Sequence, residues 1–214
     1  MKINGDQLMI KPMREALLKY GSIFMPETAT KRMLIWGEVI GTGKGHRGYK
    51  TGNLWPMMVK PGDIVLFPRG SEKGLVQDIT FEGVRYYELI FLDERDACLI
   101  IRDGEMLPVY NCIIGKVLVD ETIYDVSEAG ILIPKPKDSI RFVKVKVEKV
   151  GPGGRSDDGT LIPCTAAIGD IAIIESYNAW EYQLGEDVKE GFVVMDEGLI
   201  LALEDPSLPL TRVS

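Results

Sequence analysis

Histidine occurs once in the 214 residues, at His46, and cysteine only three times, at Cys98, Cys112 and Cys164, an odd number at unrelated spacings with no CxxC pair. Disulfide frameworks and zinc sites need more of these residues at tighter spacings, so neither covalent nor metal staples are expected. The cysteines read as reduced thiols of a cytoplasmic-type compartment. A histidine-based triad would rest on one loop residue with no motif-placed serine or cysteine beside it, so His46 reads as a surface or hairpin residue. Long apolar runs are also missing. Ile171-Ala172-Ile173-Ile174 is far short of the roughly 20 residues a membrane helix requires, and the N-terminus shows neither a signal-peptide apolar segment nor an Arg/Ser-rich transit segment, so a soluble chain is expected. Clustered basic charge is absent too: 25 basic against 32 acidic side chains give −7, which argues against nucleic acid as the main partner.

What the chain has is a duplication. Ile23-Phe24-Met25 and Ile131-Leu132-Ile133 are apolar triplets set among residues that resist regular structure. After the first come Trp36-Gly37-Glu38-Val39, Thr51-Gly52-Asn53-Leu54-Trp55-Pro56, Pro61-Gly62-Asp63-Ile64 and Cys98-Leu99-Ile100-Ile101. After the second come Val147-Glu148-Lys149-Val150, Asp158-Gly159-Thr160-Leu161-Ile162-Pro163, Ile168-Gly169-Asp170-Ile171 and Leu199-Ile200-Leu201-Ala202, in the same order. A period above 100 residues in two copies means tandem globular domains rather than a solenoid. The expected domains are residues 1–108 and 109–214, and a short linker at 102–110 should hold them side by side with limited freedom. Their surfaces have diverged: the first holds 15 basic and 14 acidic side chains, the second 10 and 18.

Short β-rich runs between Gly, Pro, Asn and Asp clusters predict an all-β fold of antiparallel barrels. Gly52-Asn53 and Asp158-Gly159 are turn dipeptides suited to a projecting hairpin in each half. Asp63 and Asp170 occupy equivalent turn positions, where backbone bonding is a better account than acid/base chemistry. The cluster Gly41-Thr42-Gly43-Lys44-Gly45 fails the phosphate-loop pattern, because five residues separate Gly37 from Gly43 and glycine follows Lys44. Trp36, Trp55 and Trp180 read as packing groups, with Trp55 in the hairpin also placed to line an interior surface or a subunit contact.

In this order the motifs resemble those of GroES-type co-chaperonin subunits, and the whole chain resembles a tandem, double-domain version. The first tip departs from the family pattern in carrying Phe and Met, the second copy has Lys144-Val145-Lys146-Val147-Glu148 in place of Gly-Glu-Val, and residues 68–88 are longer than usual. The resemblance implies two tandem GroES-like antiparallel β-barrels, each with a mobile loop and a roof hairpin. It implies a co-chaperonin that caps an ATP-driven chaperonin ring of the GroEL type and encloses client proteins, with ATP bound by that partner and no cofactor, metal or catalytic residue of its own. Ile23, Phe24, Met25, Ile131, Leu132 and Ile133 would be the chaperonin-binding tips. Inter-subunit pairing in a ring-shaped homo-oligomer would use Leu8, Met9 and Ile10 of the first strand and Leu199, Ile200 and Leu201 of the last, while strands 98–101 and 115–119 satisfy the same contact within the chain. An assembly protein that uses such barrels without a chaperonin is the alternative. Zinc-dependent medium-chain dehydrogenases also contain GroES-like barrels, but this chain has no nucleotide-binding motif or zinc-ligand pattern, so an enzyme ranks last.

An apolar tip amid polar residues cannot bury itself locally. Limited proteolysis of the free protein is therefore expected to cut first within residues 14–34 and 121–140; resistance at both would mean that the triplets are buried strands.

Overall fold

The computed structural model describes residues 2–13, 19–20, 23–24, 34–118, 124–126, 132–134, 142–175, 180–181 and 192–204. Within them the regular structure is antiparallel strand, apart from single 3-10 turns at Glu94–Asp96 and Glu197–Leu199. A seven-stranded sheet runs in the order Glu105–Pro108, Leu99–Arg102, Ile64–Pro68, Leu34–Thr42, Gln7–Pro12, Val84–Asp93, Gly74–Phe81. A six-stranded sheet runs Trp180–Glu181, Phe192–Asp196, Cys112–Leu118, Phe142–Val150, Ile171–Glu175, Ile200–Glu204.

The duplication in sequence is a duplication in pairing. In each sheet an opening strand lies between a long strand and a return strand, and the long strand leads on to a Gly-Asp-preceded strand and a closing strand. Even the irregularity recurs, between Met9 and Ile10 in one copy and between Ile114 and Gly115 in the other. The period-2 pattern sets the faces: along Phe142–Val150, Val145 and Val147 are buried while Lys144 and Lys146 are exposed. Leu8, Ile10, Val65, Phe67 and Leu92 fill the first core, and Ile113, Val145, Val147, Ile174 and Met195 fill the second. A third cluster joins the two, with Leu34, Leu66, Cys98 and Leu99 packed against Cys112, Ile114 and Val194.

The extra length at residues 68–88 is a hairpin of Gly74–Phe81 and Val84–Asp93, turned at Glu82 and Gly83 with φ of 48° and 82°. The segment expected as a linker, 102–110, is largely a strand. Asp103 and Gly104, with φ of 52° and 79°, make a two-residue turn that lays Glu105–Pro108 back along Leu99–Arg102, pairing Leu99 with Pro108 and Arg102 with Glu105. That pairing replaces the expected contact between strands 98–101 and 115–119, because Cys112–Leu118 already has Phe142–Val150 on one side and Phe192–Asp196 on the other.

Beyond the turned-back strand, Tyr110 reaches into the first domain. Its hydroxyl donates to Glu94, whose side chain is 0% exposed and also accepts the Val59 backbone N–H at 2.7 Å. Burial and then the Glu94 carboxylate push the Tyr110 phenol well above its ordinary range, so it stays a donor. His46 is not a surface residue: its Nε2 lies 2.9 Å from Glu94 and 2.8 Å from the Tyr110 hydroxyl, and its Nδ1 lies 2.9 Å from Asp6. One buried carboxylate thus ties the barrel body, the first hairpin and the start of the second domain. Glu94→Ala would strand a buried N–H and a half-buried phenol and is expected to cost about 3 kcal/mol, against about 1 kcal/mol for Tyr110→Phe, read from urea unfolding midpoints. Equal effects of the two would mean that Glu94 serves only Tyr110.

Candidate binding loops, sheet edges and roof hairpins

The apolar tips lie on two small ribbons of their own. Ile23–Phe24 pairs with Lys19–Tyr20, Tyr20 opposite Ile23, and Leu132–Pro134 pairs with Tyr124–Val126, Val126 opposite Leu132. Among the described residues neither ribbon hydrogen-bonds to the seven- or six-stranded sheet, so the backbone of each tip is paired locally. Met25 and Ile131 lie outside the described residues, as does most of the chain between 14 and 33 and between 119 and 141.

The sheet edges depart from expectation on one side. Leu8, Met9 and Ile10 are each 0% exposed, and their strand is paired on both edges, with Leu34–Thr42 and Val84–Asp93. They offer a neighbour no open edge, because the domain's own long and return strands consume the ladder. At the other end Leu199 closes a 3-10 turn, while Ile200 and Leu201 belong to the edge strand Ile200–Glu204, which among the described residues pairs only with Ile171–Glu175. Leu201 is 58% exposed. The equivalent closing strand of the first copy, Leu99–Arg102, is covered by Glu105–Pro108; Ile200–Glu204 has no such cover among the described residues.

Both hairpins form where the turn dipeptides place them, His46–Arg47 with Leu54–Trp55 and Gly154–Arg155 with Leu161–Ile162. Their bases rest on Gly45 and Gly153, at φ of 124° and 98°, where a Cβ would lie 1.8 Å from the Trp55 carbonyl oxygen or 2.0 Å from that of Ile162. Only glycine satisfies both conditions. The first hairpin leans on the second: Trp55 covers Gly159, Lys50 Nζ lies 3.3 Å from Asp157, and Thr51 Oγ1 lies 3.5 Å from the Asp157 carbonyl oxygen. Bonds from the Ser156 hydroxyl and the Thr160 N–H hold the Asp158 carboxyl down to about 2, so that turn keeps its negative charge near neutrality.

The remaining polar groups do structural work. Asp63 accepts the Lys60 N–H at 2.7 Å and Arg102 at 2.8 and 2.6 Å, and Asp170 accepts the Ala167 N–H at 2.8 Å, so both are turn residues. Cys98 and Cys112 are buried side by side, and their mutual hydrogen bond with burial pushes the Cys98 thiol far up; burial takes the Cys164 thiol to about 11. Neither Cys98 nor Cys164 is an activated thiolate. Among the described residues no His, Cys, Asp or Glu cluster is arranged to hold a metal ion, and no helix is long and apolar enough to cross a membrane. Glu94 escaped the sequence reading, although a signal existed: Asp93-Glu94 recurs as Asp196-Glu197, and Glu197 accepts the Ala166 N–H at 2.9 Å much as Glu94 accepts that of Val59.

Comparison with known proteins agrees with this duplicated architecture. The model of the chaperonin 10 kDa subunit family, Cpn10, matches residues 1–101 and again residues 110–204. Co-chaperonin GroES of Chlamydia felis is 33% identical over 107 residues, which cover 50% of this chain and 87% of that protein. The 10 kDa chaperonin of Brassica napus is 33% identical over 101 residues, 47% of this chain and 95% of that one. Co-chaperonin GroES of Citrifermentans bemidjiense is 39% identical over 69 residues, 31% of this chain and 70% of that protein. Since the family model accounts for both halves in turn, the chain belongs to the chaperonin 10 kDa subunit family and carries that subunit twice.

Proposed function

We propose that the chain is a co-chaperonin that caps an ATP-driven ring chaperonin of the GroEL type and encloses client proteins, with ATP chemistry belonging to the partner. The observation that carries this reading is the two-fold match to a family whose relatives include proteins named co-chaperonin GroES, together with an apolar triplet at the same place in each copy. The three free cysteines favour a reducing, cytoplasmic setting. Each tip side chain that enters a partner groove gains about 1.5 to 3 kcal/mol, and ordering the loop takes back much of it. Single contacts are then weak and reversible, and several loops on one assembly act together through effective concentration. A lid needs both properties, since it must seal and later leave.

Assembly follows the same reading. Glu105–Pro108 lies against Leu99–Arg102, and its Leu107 and Pro108 stand five and four residues ahead of Cys112, the start of the second opening strand. Lys2 and Ile3 stand five and four ahead of Gln7, the start of the first. Residues 2–3 of one chain therefore have the position to pair with the uncovered strand Ile200–Glu204 of another. That contact is heterologous, so repeated it closes into a ring or continues as a fibre.

A pull-down with a double-ring chaperonin is expected to capture the chain only with ATP, and to lose it when Ile23, Phe24 and Met25 are replaced by serine. Unchanged capture after both triplets are replaced would remove the tips from the mechanism. Capture in no condition would favour the assembly-protein reading. Lys2→Pro deletes one backbone donor at an exposed position and is expected to shift native mass spectra toward single chains; an unaltered distribution would place the chain-to-chain contact elsewhere.

A further inference from the structure

The contact between the two roof hairpins of one chain has an unoccupied twin. Within the chain, Trp55 of the first hairpin covers Gly159 in the turn of the second, where an added Cβ would lie 2.0 Å from its Nε1. Trp55 pairs with His46 as Ile162 pairs with Gly154, so Ile162 is the second hairpin's counterpart of Trp55. Gly52 precedes Trp55 by three residues as Gly159 precedes Ile162, so Gly52 is the counterpart of Gly159. Both counterparts are uncovered: Ile162 is 56% exposed with Leu161 beside it at 46%, and a Cβ on Gly52 would meet nothing within 4 Å.

Charge selects the direction. The first hairpin carries Lys44, Arg47 and Lys50 and no acid between 44 and 56, whereas the second carries Asp157 and Asp158 against Arg155. Second-to-first contact sets an acidic turn beside a basic one, while first-to-first contact opposes like charges. The same alternation contributes to the contrast between the near-neutral first half and the acidic second half.

We propose that the roof hairpins of successive chains interlock as those within one chain do, with Leu161 and Ile162 of one copy seated on the Gly52 turn of the next and the acidic second hairpin set beside the next copy's basic first. This contact rests on the head-to-tail assembly described above and adds a second, apolar attachment to it. Isoleucine stands where the intrachain contact has tryptophan, so the chain-to-chain contact is the shallower of the two and opens first.

Chains carrying Cys164→Ser with Asn53→Cys, co-refolded with mass-tagged chains carrying Cys164→Ser with Ile162→Cys, test it directly under oxidised glutathione. A disulfide-linked species of mixed mass is expected, and Ile162→Arg in the native chain is expected to raise the concentration for half-assembly about tenfold or more, by light scattering. Assemblies of unchanged mass with no mixed disulfide, and no effect of Ile162→Arg, would overturn the roof contact while leaving head-to-tail pairing in place. Single chains at every concentration of the unsubstituted protein would overturn both.

Discussion

The pairing of Leu99–Arg102 with Glu105–Pro108 is the constraint on which the rest of the molecule depends. A closing strand left open would be a sticky edge, and the two-residue turn at Asp103 and Gly104 covers it with the segment that leads into the second domain. Once that segment is laid down, Tyr110 arrives beside Glu94 and His46, and Cys112 beside Cys98. Joining two copies of a subunit thereby becomes a matter of register rather than tether length. The shared cluster around Leu66, Leu99, Ile114 and Val194 then makes the junction part of a core.

The two copies are alike in pairing and unlike at their contact faces. The bulge in the opening strand, the glycine at each hairpin base and the carboxylate that follows each return strand recur. The aromatic and imidazole groups do not. Tyr110, His46 and Trp55 all serve the junction inside the chain, while Gly154 and Ile162 stand at the positions matching His46 and Trp55. A duplicated subunit no longer has to treat every neighbour alike, and one that is covalently attached can be held by a buried hydrogen-bond network that a reversible neighbour does not need. Under the proposed head-to-tail assembly, specialised internal contacts and lighter external ones would let it come apart at defined seams.

Much of this was legible in the sequence because it is local or repeated. Gly52-Asn53 and Asp158-Gly159 named their hairpins through glycine's left-handed φ, and alternation along Val143 to Val147 named a half-buried strand. What the sequence left open has one source. Gly104 and Pro108 mark residues 102–110 as a short linker; whether its Asp103-Gly104 also turns a hairpin depends on whether a strand edge lies waiting, and Leu99–Arg102 supplies it. Leu8, Met9 and Ile10 looked available to a neighbour because a strand's sequence shows its two faces but not its two edges. His46, read as a surface or hairpin residue, sits on the first hairpin, but its contacts were not legible because Asp6 and Glu94 are remote from it in the chain.

The chain's residues by themselves determined that there are two all-β domains of one family, where their turns fall and which side chains are apolar without a local place to be buried. These are properties of φ preference and period, carried by a few neighbouring residues. Tertiary structure alone decided which edges are closed, that one buried carboxylate ties three separated segments together, and that the second hairpin leaves Ile162 uncovered where the first has seated Trp55. Hydrogen-bond ladders and buried charges are settled by whatever arrives from far along the chain, and no local pattern of residues encodes that arrival.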